Sequence, residues 1–262
     1  MIPPFKASRL KIERAQTHIF ELEIAVENFF SRKPCAIVVE PYFDGSLSWA
    51  RSCTARVREN VPYSFSPIIG DIIHNLRTAL DLLACDLVRL AGKNPSSVYF
   101  PFCERPTELH SAIKKRNIHR AGHDVVEVIE RFQPYRGGNE TLRALHDMDV
   151  SDKHKALLLT IAAVSIPLGE ILKSHPEALA NIPVWSSVIS DGHMMIGLPM
   201  DLSPPLGTEL PARFFLCFLE GGPFIKGRAV LEFLHQLSDL VNGIVDALVA
   251  LRPGAAFPTF AP

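Results

Sequence analysis

The sequence has no C-x-x-C pair, and its five cysteines (Cys35, Cys53, Cys85, Cys103 and Cys217) are odd in number and scattered. That pattern argues against a zinc module or a disulfide framework and predicts a reducing, cytoplasmic setting. Long apolar runs are also missing. The longest nearly apolar stretch, Ala156 to Leu168, has 13 residues and is interrupted by Thr160, Ser165 and Pro167. A spanning helix needs roughly 20 apolar residues, so this run is assigned to the core and no membrane association is expected. The opening Met1-Ile2-Pro3-Pro4-Phe5-Lys6 lacks the charged-then-apolar layout of a secretory leader, and none is expected. Charge of one sign is not in excess either: 27 Lys and Arg face 28 Asp and Glu, a net charge of -1. No global field therefore draws the protein to nucleic acid, and a local patch is the only route to it. P-loop, G-x-G-x-x-G, G-x-S-x-G and H-E-x-x-H motifs are all absent, which leaves nucleotide-cofactor, elbow-serine and zincin chemistry without support.

What is present is enough apolar material for a real core: 47% of the 262 residues are hydrophobic and 21% charged. From Lys6 to Ser31 the residues Ile12, Ala15, Ile19, Leu22, Val26 and Phe29 alternate steps of three and four, the stripe of a long helix. Val230, Phe233, Leu237, Leu240, Ile244, Leu248 and Leu251 repeat that spacing until Pro253. Two such seams suit packing on each other or on a second copy, so a homodimer through the long helices is expected. Cys35–Phe43 and Ser48–Arg58 flank the turn pair Asp44-Gly45, and Val184–Ser190 and His193–Leu198 flank Asp191-Gly192; both read as hairpins. A further strand is expected at Ala212–Leu219, before Gly221-Gly222-Pro223, while Leu157–Ile166 is ambiguous between strand and helix. Ser66-Pro67 opens a central helix to about Leu90, with shorter helices at Thr107–Arg116, Asp124–Phe132 and Asn139–Lys155. The expected fold is a single α+β domain over residues 1–252: a central helical bundle, long N- and C-terminal helices, and an antiparallel sheet from two hairpins. Residues 253–262 read as a flexible Pro-rich tail.

The central helix carries apolar residues on nearly every face, yet His74, Arg77 and Asp81 fall on one side of it, with Asn75 and Thr78 beside them. Buried charges need partners, and the span from Leu145 to Lys155 offers them: His146, Asp147, Asp149, Asp152, Lys153 and His154. Asp149 and Asp152 are the natural partners for Arg77, and His154 for Asp81. Two readings stand. The elements clasp each other structurally, or the clasp lines a pocket whose His and Asp residues do chemistry. The central His74-Asn75-Leu76-Arg77 with Leu80-Asp81, followed by Asp152-Lys153-His154-Lys155, resembles a pattern shared by uncharacterised bacterial proteins of similar size. The likeness covers about the middle third of the chain. It implies that the two elements belong together and implies no activity.

The leading functional expectation is a non-catalytic binding or interaction protein with a structural His/Arg/Asp network. The alternative is a phosphodiester or nucleotide hydrolase using His74, Arg77, Asp81, Asp149, Asp152 and His154, with Arg77 holding an anion and a histidine moving protons. It takes two forms. One is similar to the HD-type phosphohydrolases, with His123-Asp124 and His146-Asp147 as candidate dipeptides. Here His146, Asp147, Asp149 and Asp152 would hold a divalent metal. Met148-Asp149 stands where that family commonly has glycine and lysine. The other is similar to HEPN-like ribonucleases, whose Arg-then-His spacing fits Arg116 and His123. Arg116 lies in the basic stretch Lys114–Arg120, the one place where nucleic acid could bind, and His123 follows just after it. Gly122 interrupts a continuous helix there, and the strand content exceeds what that fold carries.

Overall fold

In the computed structural model, which describes residues 3–43, 49–152, 157, 159–165, 187–188, 190–192, 194–198 and 204–252, the first apolar stripe forms α1 (Lys6–Ser31). Its Ile12, Ala15, Ile19, Leu22, Val26 and Phe29 are all buried. The helix starts from Phe5, itself fully buried, whose backbone N–H donates to Asp86 Oδ2 at 2.7 Å. Helix α2 (Phe65–Leu90) begins one residue before the sequence signal. Ser64 stands at its N-cap and Ser66 is buried within the first turn, so the expected Ser66 cap is not formed. Pro67 still fits, because amides of the first turn have no partner inside the helix. Then come α3 (Leu109–Lys115), a 3-10 turn at Ile118–Ala121, α4 (His123–Phe132), α5 (Glu140–Asp152) and, near the end, α6 (Val230–Val249). Helix α2 packs against α1, α5 and α6, and one cluster of buried side chains runs through all of them. No helix among the described residues is long and apolar enough to cross a membrane.

The fold class is α+β, and the strands among the described residues form two small antiparallel sheets. β1 (Cys35–Phe43) and β2 (Trp49–Val57) pair from Cys35↔Val57 to Phe43↔Trp49, as expected; Asp44-Gly45 lies outside the described residues. β5 (Met194–Leu198) extends this sheet beyond β2 and β6 (Glu209–Leu210) extends it beyond β1. The ambiguous stretch is a strand, β3 (Leu159–Ser165), which pairs with β7 (Arg213–Phe218) on one side and β4 (Ser187–Val188) on the other. The second expected hairpin opens at its turn: β4 and β5 join different sheets. Gly192 does take the left-handed conformation, φ +74°. However, its N–H donates to Ala55 O at 2.9 Å, and Asp191 Oδ1 accepts the Val57 N–H at 3.1 Å. The turn is thus fastened to β2, whose edge gives β5 its partners. The tail from 253, His154, His193 and residues 184–186 of that hairpin lie outside the described residues.

The approach of α5 to α2 is set by Gly70. A Cβ there would lie 2.4 Å from Asp152 Oδ2. Alanine would bring about 1 kcal/mol of helix propensity, and the three atoms it would meet are all the carboxylate end of Asp152, which must turn aside and give back part of that gain. Gly70→Ala is therefore expected to stabilise less in the wild type than in an Asp152→Ala background, measured by urea unfolding. Equal effects in the two backgrounds would refute the close contact.

Candidate functional site

The two polar elements meet. His74 of α2 brings its Nδ1 to 3.0 Å from Asp149 Oδ1 of α5. Arg77 takes another partner from the one expected: Asp81, one turn along its own helix, with Nη1 2.6 Å from Oδ1. The reason is geometric. Steps of four place Arg77 and Asp81 side by side, while Asp149 faces His74 a turn earlier. Asp81 Oδ1 also accepts the Phe100 N–H at 2.8 Å, so one carboxylate serves both a helix cation and the following loop. The guanidinium of Arg77 lies 4.7 Å from the centre of the Phe102 ring, a cation–π contact at a side chain only 10% exposed. Asp152, beside Gly70, has its carboxyl pushed up from the ordinary range, first by burial and then by Asp149 and Asp71, with His74 opposing. His154, the expected partner of Asp81, lies outside the described residues.

Past Phe102 the network continues through α5. His146 stacks parallel to the Phe102 ring, centres 4.7 Å apart and planes 10° from each other. Its Nδ1 is buried and has no hydrogen-bond partner among the described residues. Burial, then Arg77 and Arg143, push this imidazole down to about 4, so it is neutral at neutral pH. Next to it, four charges close a ring. Arg136 reaches Glu104 at 2.6 Å and Asp147 at 2.9 Å; Arg143 reaches Asp147 at 2.7 Å and also Glu104. Arg143, 7% exposed at its side chain, donates in addition to the Cys103 carbonyl at 3.1 Å. The sequence marked Asp147 as a candidate metal ligand and as one of the polar residues available to the central helix, but did not single out Arg136, Arg143 or Glu104. The four-residue step from Arg143 to Asp147 was a readable signal; Glu104 comes from an irregular segment that no periodicity marks.

The other candidates separate. Asp147 turns to the arginines while Asp149 turns to His74, and among the described residues no group of three or more His, Cys, Asp or Glu is placed to hold a metal ion. Arg116 lies with its guanidinium 5.6 Å from the Tyr99 ring, while His123 begins α4, 86% exposed, with Nδ1 3.3 Å from Glu127. Between them stands Gly122 at φ +121°. Arg116 and His123 therefore make separate contacts.

A cavity of about 810 Å³ opens between α5 and the loop after β7. One side is the α5 face with Glu140, Ala144, Asp147, Met148 and Ser151, and the other is Glu220 through Ile225. The Gly-Gly pair ending the β7 region was visible in the sequence, but nothing there joined it to α5. Comparison with known proteins finds no matching family model, no similar curated protein and no similar solved structure.

Two outcomes follow from the network. Truncating Arg77, which is nearly buried, should cost about 2–4 kcal/mol in chemical denaturation, whereas truncating His74, 58% exposed, should cost less than about 1 kcal/mol. Comparable losses would contradict the account. His146 carries a pH signature. Below the ordinary 6.5 the unfolded chain binds a proton that folded His146 refuses until about 4, so its contribution to stability is present above that window and lost as pH falls through it. His146→Phe, which keeps the stack, should therefore lose less stability than wild type between about pH 7 and about pH 5. Parallel losses in the two proteins would show that His146 titrates normally.

Proposed function

We propose that this chain is a non-catalytic binding protein that holds a small molecule in the cavity between α5 and the Glu220–Ile225 loop, with the His/Arg/Asp network as its frame. The observation that carries the reading is the closed ring of Arg136, Glu104, Arg143 and Asp147. It ties Arg136 and Asp147 of one cavity wall to Glu104 and Arg143 behind them and leaves a formed, partly apolar space beside them, the usual build of a ligand site. Preference over hydrolysis comes from how the candidates are spent. Asp81 holds a loop amide, Asp147 sits between two arginines, and His146 is stacked and neutral. A cytoplasmic setting is supported by five free cysteines, with burial pushing the Cys35 thiol up to about 12 and Cys53 and Cys217 to about 11. The apolar stripe of α1 is used inside the chain, so a homodimer would rest on the exposed Leu10, Phe20 and Ile24 of that helix.

Gly222 lines the cavity, and a Cβ on it meets nothing within 4 Å. Gly222→Trp therefore begins its side chain without a collision and is the variant chosen to obstruct the space, with a melting temperature equal to wild type as the check that it folds. In a thermal-shift screen of small molecules, compounds that raise the melting temperature of wild type should leave this variant unmoved. Stabilisation that survives Gly222→Trp would place binding elsewhere, and a screen with no stabilising compound would remove support for a ligand site.

A further inference from the structure

The surface at the end of α3 stands apart from the rest of the molecule in charge. From Leu109 to His123 the chain carries four cations, Lys114, Lys115, Arg116 and Arg120, and no Asp or Glu. The carboxylates flanking this stretch are already occupied: Glu108 holds Arg105, Asp124 holds Arg252, and Glu127 and Glu130 face His123 and His110. None of the four cations forms an ion pair with a described residue, and Lys114, Lys115 and Arg120 are exposed. Positive charge is therefore left uncompensated on a short run of surface, although the chain as a whole is near neutral.

An aromatic ring is fixed beside it. The Tyr99 N–H donates to Arg116 O at 3.2 Å, and Asn117 Nδ2 donates to Ser97 O at 3.1 Å, so the loop before Phe100 is fastened to the end of α3. The Arg116 guanidinium lies 5.6 Å from the centre of the Tyr99 ring. Tyr99 is 46% exposed, the one large apolar side chain left exposed between Leu90 and Val150. A membrane-surface site would need a broader apolar face than this single ring. Flanked by cations, the ring instead suits a base that stacks on it while the adjoining phosphates meet the lysines and arginines. A duplex keeps its bases stacked inside and would leave the ring unused.

We propose that the end of α3 is a binding surface for single-stranded nucleic acid, separate from the cavity. Tyr99, backed by Arg116, stacks a base, and Lys114, Lys115 and Arg120 hold the backbone.

Fluorescence anisotropy of a labelled oligouridylate of about ten nucleotides, followed on the full chain between about 50 and about 200 mM salt, tests this. Wild type should bind with an affinity that falls as salt rises, log K against log salt steepening by about 0.7 for each phosphate held. Lys114→Ala/Lys115→Ala should make that slope shallower by about 1.4. Tyr99→Ala should weaken binding about fivefold or more at an unchanged slope, and Tyr99→Phe should bind as wild type does. Arg14→Ala/Lys226→Ala, which removes two exposed cations without ion pairs elsewhere on the described surface, should change neither slope nor affinity. Melting temperatures check each fold, and the solvent-facing lysine pair keeps the test decisive if Tyr99→Ala melts early. No binding at about 50 mM salt would overturn the proposal, as would an equal loss in the Arg14/Lys226 control. Tighter binding of a duplex of the same length, or full affinity in a folded Tyr99→Ala, would overturn the stacked single strand. Sedimentation with phosphatidylserine vesicles in the absence of oligonucleotide binding would assign the surface to a membrane instead.

Discussion

Arg77 and Arg143 both lie inside the protein, and neither charge could remain there without compensation. The short irregular stretch from Phe100 to Glu104 serves both. Its Phe102 ring lies against Arg77, its Cys103 carbonyl and Glu104 carboxylate take Arg143, and its Phe100 amide holds Asp81 beside Arg77. The stretch is in turn fixed from outside, through the Cys103 N–H donating to Pro134 O at 3.2 Å. A segment without regular structure thus ties α2 to α5, beside the direct contacts between the two helices. Removing one member would leave a buried ion facing apolar neighbours, which is why such networks act as a unit.

Helix α5 has two different faces as a result. Toward α2 it shows Asp149 and Asp152, with Gly70 permitting the close approach. Toward the cavity it shows Glu140, Ala144, Met148 and Ser151. Asp147 stands at the border between them, belonging to the ring of charges and to the cavity wall. Through Asp147 and Arg136 the ring of ion pairs thus reaches the cavity wall, where the two paired side chains are held in one arrangement.

Periodicity made the long helices legible, because stripes such as Ile12 to Phe29 have one low-energy use: burial against a core. The meeting of the central helix with the segment around Asp149 was legible for a related reason, since buried charges must be paired. Who pairs with whom was not. His74, Arg77, Asp81 and Asp149 allow several neutral combinations, and only the rotation of α5 about its axis chooses among them. The opened hairpin at Asp191-Gly192 shows a similar limit. A turn signal states that the chain reverses, not that the strands on either side prefer each other to β2 and β3. The cavity left no trace because its two walls are far apart in sequence and neither carries a motif.

That separation of the walls has a consequence for synthesis. Glu140 to Ser151 can assemble with α2 early, but the opposite wall is absent until the growing chain has passed Ile225, and its turn is closed by the Phe218 bonds to Gly227 and Arg228. The proposed ligand would thus add its mass-action stabilisation to the finished tertiary structure alone and offer nothing to partly assembled forms. In a cell, ligand supply would then govern how long mature copies persist rather than how readily new ones are made.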